Sequence, residues 1–356
     1  MNKIVLVLKG RIESLPPFMS LAIELSRLNH KVVLIASQCD DKTKILFQKY
    51  HIEVITVGSV RSPKNKIGKL IQWLDFRNQT FNELKQMDFD YLWIGGGDTA
   101  LALGKKLYSY NYMITLYELY DTNHLYRYFL KNIVQSASAV VVPERNRAAI
   151  IRSWFGLQQT PFVIPNKPYI ADDLFYDNDE KPESFSPHNK KIALYQGHIG
   201  RDRDLEPICK AFENVKERWQ LVLMGKDHGY LKELKEICPS LIHIDHIDAP
   251  GHLKVTKQAD VGLVSYTFDN LNNVFCAPNK IWEYSSFHKP MIGNDVPGLL
   301  DTIEKYEAGI CVDFSDPKAL YQSILIVEEN YTKYSEGSKK LTESFDPARI
   351  LEEIIN

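Results

Sequence analysis

Short apolar runs alternate with amphipathic or turn-rich stretches along the whole chain. Residues 4–8, 31–36, 53–57, 91–94, 113–117 and 139–142 are near-continuous apolar runs, too short for buried helices, and each is followed by a helical or turn-rich segment. Runs that are apolar on both faces mark parallel strands sandwiched between helices, which predicts a doubly wound α/β domain over 1–166. Residues 167–190 then turn acidic, proline-punctuated and aperiodic, and read as an interdomain linker. The alternation resumes at 191–195 and continues through 220–224, 241–244, 261–265, 291–292 and 310–312, giving a second such domain over 191–335. The remainder, 336–356, reads as a helical tail packing back on the first domain. The expected fold class is α/β, two Rossmann-like doubly wound domains facing a cleft, and such clefts are where ligands settle.

Composition works mainly by exclusion. A chain of 356 residues with 44% hydrophobic and 25% charged residues can bury two cores. A net charge of -2 carries no field toward nucleic acid. The five cysteines, Cys39, Cys209, Cys238, Cys276 and Cys311, are scattered singly without metal-ligand spacing, which suits a reducing compartment. The apolar run before Lys9 is shorter than an export signal requires, and no stretch is long enough to span a bilayer. The expected location is cytoplasmic. Tyrosine is frequent at 19 residues, with a cluster between Tyr108 and Tyr128 that suits packing or a wall for a sugar or lipid.

Candidate chemistry concentrates in the second domain. The segment YQGHIGRDRDL (195–205) follows a strand, and Gly197 and Gly200 allow close backbone approach. His198, Arg201 and Arg203 add cationic donors to this loop, which makes it a candidate diphosphate grip; the alternative is a solvated turn in which the arginines pair with Asp202 and Asp204. The segment CAPNKIWEYSSFHKPMI (276–292) opens a helix, with Pro278 suited to its first position. Asn279 lies at that start, and Lys280 and Glu283 share a helical face. A lysine beside phosphates and a carboxylate one turn further in, able to accept two ribose hydroxyls, would fix a nucleoside diphosphate. The alternative is an exposed Lys–Glu helix pair.

Taken together, the basic glycine loop, Gly225 after the next strand, 253–261, the helix with Glu283, 289–292 and 308–313 resemble the C-terminal domain of family 4 glycosyltransferases of the GT-B class. The similarity runs from about 191 to 325 and continues more weakly over 17–33. By position it implies that Gly197 is the phosphate-loop glycine, that Arg203 replaces the phosphate-binding lysine, and that Glu283 holds the donor ribose. His198 stands where the family has arginine. Phe275 stands where the family has a first acid, normally in contact with the donor sugar. The wording PNKxxEY is similar to a branch of bacterial capsule and lipopolysaccharide enzymes, in which Lys280 would contact the diphosphate or the sugar. The implied donor is a sugar on a nucleoside diphosphate (UDP or GDP), and the implied acceptor is a glycan or lipid-linked molecule in cell-surface polysaccharide synthesis. No cofactor or metal is expected, since no Asp-x-Asp motif sits at a suitable strand end.

The first domain supplies a rival and a candidate base. YLWIGGGDTA (91–100) fits a dinucleotide fingerprint, with Glu118 about twenty residues on, which would make the chain an NAD(P)-dependent oxidoreductase. It follows the fourth strand rather than the first, and it leaves Gly197, Arg203, Lys280 and Glu283 without a shared task. A tight strand–helix turn accounts for the glycines equally well. LYELYD (116–121) ends the fifth strand, where the family presents groups to the acceptor; Glu118 is the favoured base, with Asp121 and His124 behind it. Glu144 opens the helix after the sixth strand and suits its first turn. A third reading, drawn from Phe275, is a catalytically silent subunit of a glycan-assembly complex. Finally, RSPKNKIGKLIQWLDFR (61–77) carries five basic residues against one acid, with Ile67, Leu70, Ile71 and Leu74 on one stripe. It predicts either a helix resting on an anionic membrane, at the inner face of the plasma membrane, or a packed helix with a solvated basic flank.

Overall fold

The apolar runs become strands because each can be covered on both faces. The computed structural model describes residues 1–58, 66–170 and 190–355. It comprises two units, Met1–Tyr169 with Asp346–Asn356, and Ile170–Phe345. Most of the linker segment lies outside the described residues, as does the start of the basic segment at 61–65.

In the first unit, β1 (Lys3–Arg11), β2 (Lys31–Gln38), β3 (Glu53–Thr56), β4 (Tyr91–Gly95), β5 (Tyr112–Thr115), β6 (Ala139–Val142) and β7 (Phe162–Val163) form a parallel sheet. The order is β3-β2-β1-β4-β5-β6-β7. Ile4 to Val7 on β1 and Leu92 to Ile94 on β4 are fully shielded, as central strands covered by helices must be. The closing helix, Pro347–Ile355, packs on this unit against the helix Pro16–Arg27 and β7, and the Tyr91 hydroxyl donates to the Ile355 carbonyl at 2.6 Å.

The second unit repeats the plan with β8 (Lys191–Gln196), β9 (Trp219–Met224), β10 (Ile242–Ile244), β11 (Val261–Val264), β12 (Met291–Asn294) and β13 (Gly309–Val312). Their order is β10-β9-β8-β11-β12-β13, all parallel. Alternate residues of β8 serve the two cores: Ala193 and Tyr195 join one cluster, Ile192 and Leu194 the other. The helix Asn279–Ser286 lies on the second face, backed by the helix Tyr331–Glu343. The winding reverses between β8 and β11. In an open parallel sheet that reversal leaves a crevice beyond the carboxyl ends of the two strands. Gly197, Arg203, Lys280 and Glu283 gather there.

Candidate functional site

β8 ends at Gln196 and the chain turns at Gly197, whose φ is 136°. Its neighbour β9 ends one residue before Gly225, at φ 152°. The two turns interlock: Gly197 N–H donates to the Met224 carbonyl at 2.9 Å, and a β-carbon at Gly225 would stand 1.8 Å from the Gly197 carbonyl oxygen. Only glycine meets both demands at Gly225. Beyond Gly197 a short 3₁₀ turn, Arg201–Arg203, returns the chain over the sheet edge, and Ser265 after β11 donates its hydroxyl to the Arg203 carbonyl.

Into this crevice points the helix Asn279–Ser286. Pro278 caps it from outside, so the expectation that proline takes the first helical position is corrected by one residue: Asn279, half-buried, holds it. Lys280 is 8% exposed, and its ammonium lies 4.2 Å from the Tyr195 ring centroid and 5.7 Å from that of Tyr266. A β-carbon at Gly197 would come within 3.1 Å of Lys280 Nζ, so the ammonium sits directly over the glycine turn. Arg203 stacks its guanidinium 5.0 Å from the Tyr266 ring centroid. Among the described residues Lys280 makes no hydrogen bond or ion pair; its surroundings are aromatic faces and backbone. Burial, together with the nearby Arg203 charge, outweighs the attraction of Glu283 and lowers Lys280 to about 7.

Glu283 is buried one turn further along, and the alternative of an exposed Lys–Glu pair does not form. Its Oε2 accepts from Gln196 Nε2, and its Oε1 accepts from His252 Nε2 at 3.1 Å. Thr256 in turn donates to Gln196 Oε1 at 2.7 Å, which fixes the amide's orientation. For His252, burial works against the charged form, yet the charge and hydrogen bond of Glu283 prevail and hold the imidazole above its ordinary value. Its Nδ1 is buried without a partner among the described residues. Each Glu283 oxygen retains acceptor capacity for a further hydroxyl.

Other candidates from the loop stand apart. Arg201 pairs with Glu233 and lies 5.3 Å from the Tyr230 ring centroid, so it serves the surface of the helix Leu231–Ile237 rather than the Lys280 cluster. His198 Nε2 lies 3.0 Å from Asp202 Oδ1, and its ring sits 4.2 Å from that of His228. Phe275 is half-buried in the turn after the helix Leu271–Val274, and Tyr266, Tyr195, Gln196, Thr256 and His252 were not singled out by sequence.

In the first unit Gly95 and Gly97 serve packing, while Gly96, at φ 89°, makes the turn between them. A β-carbon at Gly95 would meet Phe18 at 2.9 Å, and one at Gly97 would lie 3.0 Å from Leu130 and from the Tyr120 and Tyr126 hydroxyls. β5 ends at Thr115, not at 117, because the Tyr117 carbonyl is taken by the Arg147 guanidinium instead of the sheet. Glu118 therefore does not close the strand but is exposed beyond it, with Asp121 half-buried in the following turn. Glu144 caps the helix Arg145–Phe155, accepting from Asn146 N–H and Arg147 N–H at 2.7 and 2.9 Å. Among the described residues no helix is long and apolar enough to cross a membrane.

Two parallel Rossmann-like sheets in one chain are the GT-B fold. The family described as Glycosyl transferases group 1 matches residues 177–343 of the chain. The chain is 26% identical over 196 residues to the capsular polysaccharide biosynthesis glycosyltransferase CapM of Staphylococcus aureus. That similarity covers 50% of this chain and 49% of CapM, so the match spans about half the length of the curated relative. Among solved structures, HepE from Anabaena in complex with UDP and glucose is similar at a TM-score of 0.74 with 13% identity, over 99% of this chain and 98% of HepE. A glycosyltransferase from Rickettsia africae gives a TM-score of 0.72 with 15% identity, over 99% and 97% of the two chains. At these identities the structures speak for the fold.

Proposed function

We propose that this chain transfers a sugar from a nucleoside-diphosphate sugar (UDP or GDP) to a glycan or lipid-linked acceptor in cell-surface polysaccharide synthesis, working at the inner face of an anionic membrane. The observation that carries the reading is the shielded Lys280 ammonium over Gly197, beside Arg203 and without an anion of its own. Arg203 pairs with Asp202 at 3.5 Å, and a diphosphate is the polyanion that would draw its guanidinium over to the anion-free Lys280. The CapM name supports the polysaccharide setting, and HepE with UDP supports the donor class. In the transfer the acceptor oxygen bonds to the anomeric carbon, the bond from that carbon to the phosphate oxygen breaks, and the electron pair leaves with the diphosphate. Lys280 and Arg203 oppose the charge that grows on the leaving group. Glu283 accepts hydroxyls of the donor ribose, and Glu118, with Asp121 behind it, is the acceptor-side base that takes the hydroxyl proton.

The test is a thermal-shift screen of UDP-, GDP-, ADP- and CMP-sugars beside NAD and NADP, followed by donor turnover. A ligand at a hundred times its dissociation constant adds about 2.7 kcal/mol of stability. Stabilisation by a UDP- or GDP-sugar is expected, with none from the nicotinamide cofactors; saturable NAD(P) binding without sugar-nucleotide binding overturns the proposal. A second reading rests on Phe275, which replaces a carboxylate: a silent subunit would bind the donor and leave it unconsumed.

A further inference from the structure

The Glu283 carboxylate is held at both oxygens, and both holds trace back to one short stretch of chain. His252 precedes the helix Leu253–Gln258, and its Nε2 donates to Glu283 Oε1 at 3.1 Å. Thr256, one turn on, donates to Gln196 Oε1 at 2.7 Å, and the Gln196 amide donates to Glu283 Oε2. The Thr256 hydroxyl also lies 3.2 Å from the His252 carbonyl oxygen, which ties the two arms together. Side chains from β8, from the turn opening Leu253–Gln258 and from the helix Asn279–Ser286 thus close a ring around one carboxylate. Gln196, Thr256 and Glu283 are buried, and the His252 side chain is 13% exposed.

Stability does not account for the histidine. Its Nδ1 is buried without a partner among the described residues, and an orphaned polar atom costs free energy that an apolar ring of similar shape avoids. A buried polar pair adds little net stability over apolar residues of the same volume. What the ring of hydrogen bonds does supply is direction. A carboxylate held through one oxygen still swings about its Cγ–Cδ bond, whereas donors on both oxygens stop that rotation. A carboxylate has roughly four acceptor positions, so the positions left open then point in fixed directions. Two vicinal hydroxyls need such a fixed pair of acceptors, and one set in advance loses no freedom when the ligand arrives.

We propose that His252, with Thr256 acting through Gln196, is a positioning residue that aims Glu283 at the two hydroxyls of the donor ribose. It thereby sets the preference of the site for ribose over deoxyribose nucleotides. The inference rests on the reading of Glu283 as the ribose acceptor, and it adds the residues that make that acceptor selective.

The experiment is titration calorimetry of the full chain with UDP and with GDP, each beside its 2′-deoxy and 3′-deoxy counterparts. The quantity read is the ratio of deoxy to ribose dissociation constants. Wild type is expected to favour the ribonucleotide about tenfold, the size of one hydrogen bond to a charged group. His252→Phe keeps a ring of similar shape without the N–H, and the ratio should fall close to one. His252→Gln, whose amide extends a donor in place of Nε2, should restore most of it. General loosening of the site weakens ribose and deoxyribose nucleotides alike, so a merely structural role leaves the ratio where it was. If His252→Phe fails to fold, Thr256→Val removes the other arm and carries the same expectation. A wild-type ratio in the folded His252→Phe variant overturns the proposal, and so does a ratio lost equally in His252→Gln. Wild-type protein that binds ribose and deoxyribose nucleotides alike refutes the ribose assignment of Glu283 itself. Absence of UDP and GDP binding refutes the transferase reading.

Discussion

If Lys280 meets the donor diphosphate, donor affinity must depend on pH in a direction and size that the geometry sets. The lysine is lowered to about 7, by burial first and Arg203 next. A sugar nucleotide carries a diphosphate whose charge does not change between pH 6 and 9, so the titrating partner is the protein. Bound phosphate favours the ammonium and raises its pKa, hence binding takes up a proton wherever the free lysine is neutral. With a free-site value of about 7, roughly nine in ten sites are charged at pH 6 and roughly one in eleven at pH 8. Affinity should therefore fall about tenfold between pH 6 and pH 8, close to 1.4 kcal/mol. At pH 8, binding should absorb nearly one proton, read by titration calorimetry in buffers of different ionisation enthalpy. Lys280→Met should bind weakly at pH 6 and lose most of the slope. It also separates this effect from His252, whose own proton is held by Glu283. Wild-type affinity that is flat from pH 6 to 8, or a slope that survives in Lys280→Met, refutes the diphosphate contact.

Glu283→Gln should weaken nucleotide binding by about 1.5–3 kcal/mol, the range for hydrogen bonds to a charged group, while the folded state persists; affinity unchanged by calorimetry removes the ribose assignment. Glu118→Gln should cut turnover about 10²–10⁴-fold, as loss of a general base does, and leave donor affinity within about threefold because the proposed donor contacts lie in the other unit. Asp121→Asn is the comparison: if it alone abolishes turnover, the role passes to Asp121.

Strand positions were legible because parallel strands shielded on both faces are written as unbroken apolar runs, and 191–195 is such a run. β7 is two residues, Phe162–Val163, between Pro161 and Pro165, too short to carry a period. The end of β5 misled for a different reason. Tyr117 continues the apolar pattern, but its carbonyl belongs to Arg147, a partner from a helix the local pattern does not reveal. The stripe on 66–84 shows the same limit. Its spacing announces a helix with an apolar side, while what covers that side is decided by the neighbours, and Leu70 and Ile71 are left uncovered.

The site divides along the same line. Lys280 and Glu283 could be read together because one helix carries both, and Gly197 with Arg203 because one loop does. Arg201 and Arg203 are chemically alike and two positions apart, yet Glu233 and Tyr230 draw one of them away. Nothing near Arg201 in sequence announces that. The aromatic walls are harder still. Tyr195 lies on β8, and Tyr266 follows β11, pinned by its N–H to Asn294 Oδ1 at 2.8 Å at the end of β12. They flank Lys280 only because the sheet places β8, β11 and β12 side by side. The lowered pKa of Lys280 is thus a property of strand order more than of the PNKxxEY segment. A chain with the same motif but a small residue at 195 or 266, which would open the lysine to water, should hold it closer to the ordinary value, with a shallower pH slope for the donor.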